Sequence, residues 1–231
     1  MTAGSSTSVL ALRSIENAVA GMTRNDNDVE AQEAGCDTLA RLVDDADDKA
    51  KVRAAIANHG GVAAIVAALT KHCNDFRMPE AGCGALAKIA EGNSHEAREV
   101  LAEKGGVDAV IRAMSLYPGE MKVQLAGCSI LASVADKSSE RREIVASKGG
   151  AQAVMLAMVN HEDVRPVGLR LLLVLDRPEI DSARDAIRKE KGADRVDKAL
   201  DEIRQELATA GGARMRGLYY CNIFRCCQTP G

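Results

Sequence analysis

Glu80-Ala81-Gly82-Cys83-Gly84-Ala85-Leu86-Ala87-Lys88-Ile89-Ala90 is one of four copies of a helix-forming phrase, and the spacing of the copies decides the fold. The others are Gln32-Glu33-Ala34-Gly35-Cys36-Asp37-Thr38-Leu39-Ala40-Arg41-Leu42, Gln124-Leu125-Ala126-Gly127-Cys128-Ser129-Ile130-Leu131-Ala132-Ser133-Val134, and a decayed Pro166-Val167-Gly168-Leu169-Arg170-Leu171-Leu172-Leu173. Their glycines stand at 35, 82, 127 and 168, in steps of 47, 45 and 41 residues. Self-similarity at roughly 40–47 residues, with a helical apolar period inside each copy, marks a solenoid of two- or three-helix units. Each unit leaves an apolar face that only its neighbour can cover, so function becomes a question of which face of the stack stays free.

A second phrase precedes the longer helix of each unit. It reads short helix, Gly-Gly, longer helix, as in Val52–Gly60-Gly61-Val62, Ala97–Gly105-Gly106-Val107 and Arg141–Gly149-Gly150-Ala151. The first glycine takes the left-handed conformation that ends the short helix. The second, without a Cβ, lets the next helix leave at a sharp angle. Neither the dinucleotide fingerprint nor Gly-Lys-Ser/Thr is present, so these pairs are not phosphate loops. A register of ten residues links the phrases: Met22 precedes Gln32 as Leu69 precedes Pro79 and Met114 precedes Gln124. On this register the chain is expected to begin inside a unit, on its middle helix, over Val9–Met22.

The linker at 23–28 carries Asp and Asn able to cap the helix that follows. Asp44-Asp45-Ala46-Asp47-Asp48 reads as a solvated loop that favours the next helix start; it lacks the turn glycine and regular oxygen spacing of a calcium loop. His72 and His161 fall at helix C-termini, where the dipole favours them, and no nucleophile is spaced to use them. Arg177-Pro178 is expected to end the fourth long helix. A last pair, Ser182–Lys191 and Ala193–Ala208, has the extra charge of a terminal cap. From Gly211 onward the pattern stops.

Composition narrows the function classes. Hydrophobic residues are 46% and charged residues 27%, which places the chain among folded proteins. With two Phe, three Tyr and no Trp, the apolar mass is aliphatic and suits close helix packing. A net charge of −3 offers no basic footprint, so no nucleic-acid partner is expected. No secretory leader or membrane span is expected. The seven cysteines are odd in number, and Cys36, Cys83 and Cys128 share one slot on separate helices, so reduced thiols in the cytoplasm, or alternatively the nucleus, are expected. No metal and no cofactor are expected.

The order short helix, Gly-Gly, medium helix, loop, then a long helix with Gln-x-x-Gly-Cys-x-x-Leu resembles the armadillo repeat family, and the Gly-Cys variant is most similar to armadillo-repeat-containing proteins. The resemblance spans about residues 10–200. It implies an all-α fold, a right-handed superhelix of three-helix repeats, with long third helices lining a concave groove that holds an extended peptide segment of a partner protein. The expected organisation is a disordered N-terminus at 1–8, an armadillo domain at 9–210 and an irregular tail at 211–231. The domain divides into a partial repeat (9–44), repeats at 45–91, 92–135 and 136–176, and a degenerate cap (177–210).

Within the phrase, Gly35, Cys36, Leu39 and Leu42 are spaced for burial, while Glu33, Asp37 and Arg41 form a stripe at four-residue steps. The candidate partner-binding residues are Glu33, Asp37, Arg41, Glu80, Gly84, Lys88, Ser129, Ser133 and Arg170, with Leu125, Pro166 and Val174 in the remaining slots. By register, Asp37, Gly84, Ser129 and Arg170 match the groove tryptophans of importin-α, and Arg41, Lys88, Ser133 and Val174 its groove asparagines. None is Trp or Asn, so nuclear-signal binding is not implied. A non-catalytic adaptor or scaffold is the leading expectation. The alternatives are a structural subunit or fragment of a larger assembly and, less favoured, a HEAT-like repeat enzyme such as a lyase. Cys226 and Cys227, beside Arg225, are a weak candidate for tail palmitoylation.

Overall fold

A computed structural model of the chain describes residues 3–92, 94–175, 177–191 and 193–214. Among these residues the fold is all-α, with no strand. The helices run α1 (Ala3–Arg24), α2 (Val29–Asp44), α3 (Lys49–Asn58), α4 (Gly61–Lys71), α5 (Arg77–Ala90), α6 (His95–Glu103) and α7 (Gly106–Leu116). They continue as α8 (Met121–Ala135), α9 (Ser139–Ser147), α10 (Gly150–Asn160), α11 (Arg165–Leu172), α12 (Arg177–Lys191) and α13 (Ala193–Arg214), with a 3-10 turn at Glu162–Val164. The tail cysteines Cys221, Cys226 and Cys227 lie outside the described residues.

Equivalent helices pack on one another from copy to copy. The long helices α2, α5, α8 and α11 touch in series, as do the short helices α3, α6 and α9, and the medium helices α4, α7 and α10. The Gly-Gly pairs produce the bend inside each copy. Gly60, Gly105 and Gly149 have φ of 81°, 75° and 83°, and α3 and α4 diverge by 65°. The second glycine is sterically required: a Cβ on Gly61, Gly106 or Gly150 would press on Ile56, Leu101 or Val145.

The repeated glycine of the long helix is a socket. Gly35, Gly82, Gly127 and Gly168 receive the side chains of Met22, Leu69, Met114 and Met158 from the preceding helix. Adding a Cβ would place it 2.7 Å from Leu69 Cγ at Gly82 and 2.5 Å from Met158 Sδ at Gly168. Met22, Leu69 and Met114 are the residues that open the ten-residue register of the sequence, and each precedes its glycine by 13 residues.

Polar side chains tie helices together, the buried glutamines within a copy and the histidines between copies. Gln32, 3% exposed, donates its amide to the carbonyls of Met22 and Asn25 at 2.8 Å each. Gln124 does the same for Met114 and Tyr117 at 2.8 and 2.9 Å. Both satisfy carbonyls orphaned where the preceding helix ends. His72 and His161 cap α4 and α10, and their Nε2 atoms lie 2.7 Å from Asp26 O and 2.8 Å from Pro118 O, one copy back. The tautomer those contacts require carries its proton on Nε2.

An arginine in each short helix reaches forward to the end of the next long helix, and Arg98 also reaches back to the end of the preceding one, α5. Arg53 donates from Nε to Lys88 O at 2.7 Å and pairs with Glu91 at 2.8 Å. Arg98, 5% exposed, pairs with Asp136 at 3.5 Å and donates to Ala90 O and Gly92 O. Arg142 donates to Val174 O at 3.4 Å. A guanidinium at a helix C-terminus meets both free carbonyls and the negative end of the dipole.

Several boundaries differ from the sequence expectation. Helix α1 begins at Ala3, so the backbone at 3–8 is helical where disorder was expected. Arg177-Pro178 starts α12 instead of ending α11, which stops at Leu172. Proline lacks only an N–H that the first turn leaves unbonded in any case, so it opens a helix readily. Helix α13 continues through Gly211-Gly212 to Arg214.

Candidate functional site: the face of the long helices

The long helices divide their residues between interior and surface. Cys36, Leu39, Cys83, Leu86, Cys128 and Leu131 are fully buried. Burial pushes the Cys36 and Cys83 thiols up to about 12, with Asp37 adding a lesser push on Cys36, and raises Cys128 for the same reason. A thiol held neutral in an apolar interior is a poor nucleophile. The cysteine slot therefore packs and does not react.

The residues read from the sequence as the exposed stripe are mostly at the surface. Asp37, Arg41, Glu80 and Lys88 are exposed, and Gly84, Ser129, Arg170 and Glu33 are half-buried. Ser133 departs from this: it is 2% exposed. Helix α8 is buried continuously from Ile130 to Ala135, because it is covered by α9, α10 and α11 as well as α5. A slot that is surface in α2 and α5 is thus interior in α8.

Charge on this face is organised in pairs between adjacent long helices. Glu33 and Glu30 of α2 lie 4.0 and 3.5 Å from Arg77 of α5, whose closest carboxylate is Asp75 at 3.2 Å. One step along, Glu80 of α5 meets Lys122 of α8 at 2.6 Å. Lys88 of α5 pairs back to Asp44 at the end of α2. The first two bridges occupy equivalent positions in consecutive copies. Sequence reasoning missed Arg77, Lys122 and Asp44, although the register signals Arg77 and Lys122 as equivalents that begin α5 and α8.

Arg41 and Arg170 behave differently. Among the described residues neither makes an ion pair, while Asp37, one turn from Arg41, is also unpaired. Arg170 shares its slot with Ser129, Gly84 and Asp37, and Arg41 stands one turn from Asp37; a Cβ added to Gly84 would meet nothing within 4 Å. At Gly84 and Ser129 that slot carries no charge.

Two other surfaces are notable. A cleft of about 730 Å³ lies between α6 and α9 and is lined by His95, Arg98, Glu99, Lys137, Glu140 and Arg141. Its buried arginines are committed to backbone: Arg141 donates to Val134 O and Asp136 O at 2.8 and 3.0 Å. At the N-terminal edge of the long helices, Phe76 is 73% and Met121 46% exposed, in equivalent slots of adjacent copies. Among the described residues no group of His, Cys, Asp and Glu could hold a metal ion, and no single helix is long and apolar enough to cross a membrane.

Comparison with family models, with curated proteins and with solved structures finds no significant match.

Proposed function

We propose that the chain is an armadillo-type right-handed solenoid that acts without catalysis, as an adaptor or scaffold. It holds an extended segment of a partner protein along a concave face built by α2, α5, α8 and α11. One observation carries the reading: the long helices pack in series with their glycine, cysteine and leucine slots buried, while Asp37, Arg41, Glu80 and Lys88 remain exposed on one side. Helices in contact lie about 8–10 Å apart, so four of them offer a surface of about 30–40 Å. An extended segment rises about 3.3 Å per residue, and about ten residues fit along it. The face has arginine but no aromatic anchor, which suits modest, salt-sensitive affinity more than a tight hot spot. The cytoplasm, with its reduced thiols, is the compartment proposed.

The test is a crosslinking pull-down from the source cell with wild type and an Arg41→Glu, Lys88→Glu double variant. Loss of the captured partner from the variant supports the face. Retention at unchanged affinity refutes it.

A further inference from the structure

The ion pairs determine what charge the face presents to a partner. Glu80 and Lys88 are each matched by a side chain on the neighbouring long helix or its end, and those charges cancel within the fold. Glu33 stands 4.0 Å from Arg77, which Asp75 holds more closely at 3.2 Å. What remains unmatched among the described residues is Arg41 on α2, accompanied by Asp37, and Arg170 on α11. Each guanidinium presents a planar fork of donors that suits a carboxylate, which can accept two parallel hydrogen bonds from it. The floor between them, at Gly84 and Ser129, is small and uncharged and has room for side chains.

Arg41 and Arg170 are separated by three helix-to-helix steps, α2 to α5 to α8 to α11. At about 8–10 Å per step this is about 24–30 Å, which an extended chain covers in about seven to nine residues. We infer that the face selects an extended acidic segment with two carboxylate-bearing positions about eight residues apart. One carboxylate sits at Arg41 and the other at Arg170, with neutral residues across Gly84 and Ser129. This rests on the reading of the long-helix face as a peptide site. A basic segment is disfavoured because it would meet the Arg41 and Arg170 guanidiniums, and Glu80 already holds Lys122. Spacing gives the site specificity, since only a segment of matching length engages both ends at once.

The probes are fluorescein-labelled peptides with an Asp-Asp pair at each end and a Gly-Ser spacer of about two, six or ten residues. A Lys-Lys version of the middle length and a random displayed peptide library complete the set. Binding to the full chain is read by fluorescence polarisation. The middle spacer binds best, the lysine version fails, and Arg41→Glu or Arg170→Glu each weakens binding about tenfold. Equal binding at all spacers, equal binding of the lysine version, or indifference to both reversals overturns the inference. Gly84→Trp separates the two levels, because its side chain enters open space and blocks the floor without disturbing the core. If library-selected peptides are neutral or basic yet blocked by Gly84→Trp, the peptide face stands and its acidic preference falls. If selected peptides bind Gly84→Trp unchanged, or none is selected, the peptide face falls as well.

Discussion

Gly82 and Gly84 lie two residues apart in α5, yet replacing each with alanine acts in opposite directions. A Cβ on Gly82 would lie 2.7 Å from Cγ and Cδ2 of Leu69 and 3.0 Å from Cε of Met78. Both partners are buried, at 2% and 0% exposure. Intrusion into a packed core costs about 1–3 kcal/mol, while alanine gains about 1 kcal/mol over glycine in a helix interior. Gly82→Ala therefore destabilises the protein by up to about 2 kcal/mol. At Gly84 an added Cβ meets nothing within 4 Å, so only the propensity gain survives, and Gly84→Ala stabilises by about 1 kcal/mol. Leu69→Ala supplies the decisive background. Alone it costs about 2–5 kcal/mol, and it empties the space that a methyl at 82 needs. In that background Gly82→Ala becomes stabilising by about 1 kcal/mol, a reversal of sign. Urea unfolding followed by far-UV circular dichroism on all four members of the cycle measures the coupling. Additivity within about 0.5 kcal/mol would mean that Leu69 does not occupy the glycine socket, and the packing argument would fail.

Three further outcomes follow from the same geometry. Lys137 has φ of 59° where its equivalent, Gly92, has 72°, and a side chain in that conformation costs about 1–2 kcal/mol; Lys137→Gly should raise the unfolding free energy by about 1 kcal/mol relative to Lys137→Ala, and equality of the two would refute the strain. The buried thiols make stability fall in alkali: their folded values are raised while a free thiol ionises near pH 8.5. Unfolding then releases protons, so the contribution is fully present below about pH 8.5 and is lost as pH climbs toward about 12, at about 1.4 kcal/mol per thiol per pH unit. Cys83→Ala should flatten the slope of urea midpoint against pH between about 9 and 10, and an unchanged slope counts against it. Arg98→Met strands Asp136 and the carbonyls of Ala90 and Gly92; the expected cost is about 2–4 kcal/mol, and a loss under about 0.5 kcal/mol in urea titration would show the tie to be unimportant.

The devices that recur at a fixed register were legible in the sequence. Gly-Gly gave its left-handed turn and its bend, and the Gly-Cys-x-x-Leu slots gave the buried side of each long helix, because both follow from local sterics and helical period. Long-range pairing was not legible. Lys88 reads as a free surface charge until α2 places Asp44 beside it, and Glu80 until α8 brings Lys122. Ser133 failed for a related reason: the helical wheel places it with Arg41 and Lys88, but burial depends on how many neighbours cover α8. The forward-reaching arginines were missed because Arg53, Arg98 and Arg142 look like the polar side of short amphipathic helices. Only the neighbouring helix end shows what they hold.

Comparing the copies with one another separates two kinds of position. The socket is always glycine and its knob always Met or Leu, at 22, 69, 114 and 158; the forward tie is arginine in all three short helices. These slots face the same physical demand in every copy, so they repeat. The slot at Asp37, Gly84, Ser129 and Arg170 is a different residue each time, with charge −, none, none, +. Packing places no common demand there, since Gly84 opens onto free space. A stack of identical faces would let an extended ligand slide by one copy at little cost. Four unlike rungs remove that degeneracy, because moving an acidic residue by one step of about 8–10 Å takes it from a guanidinium to an uncharged floor. On the proposed reading, register and direction of the bound segment are set by the very positions at which the repeat ceases to repeat. Gly84→Arg is the direct test, since it adds a second cationic rung next to Arg41 and should let a short-spacer Asp-Asp peptide bind as well as the middle one. If the short peptide gains nothing from that substitution, the rungs do not set the register.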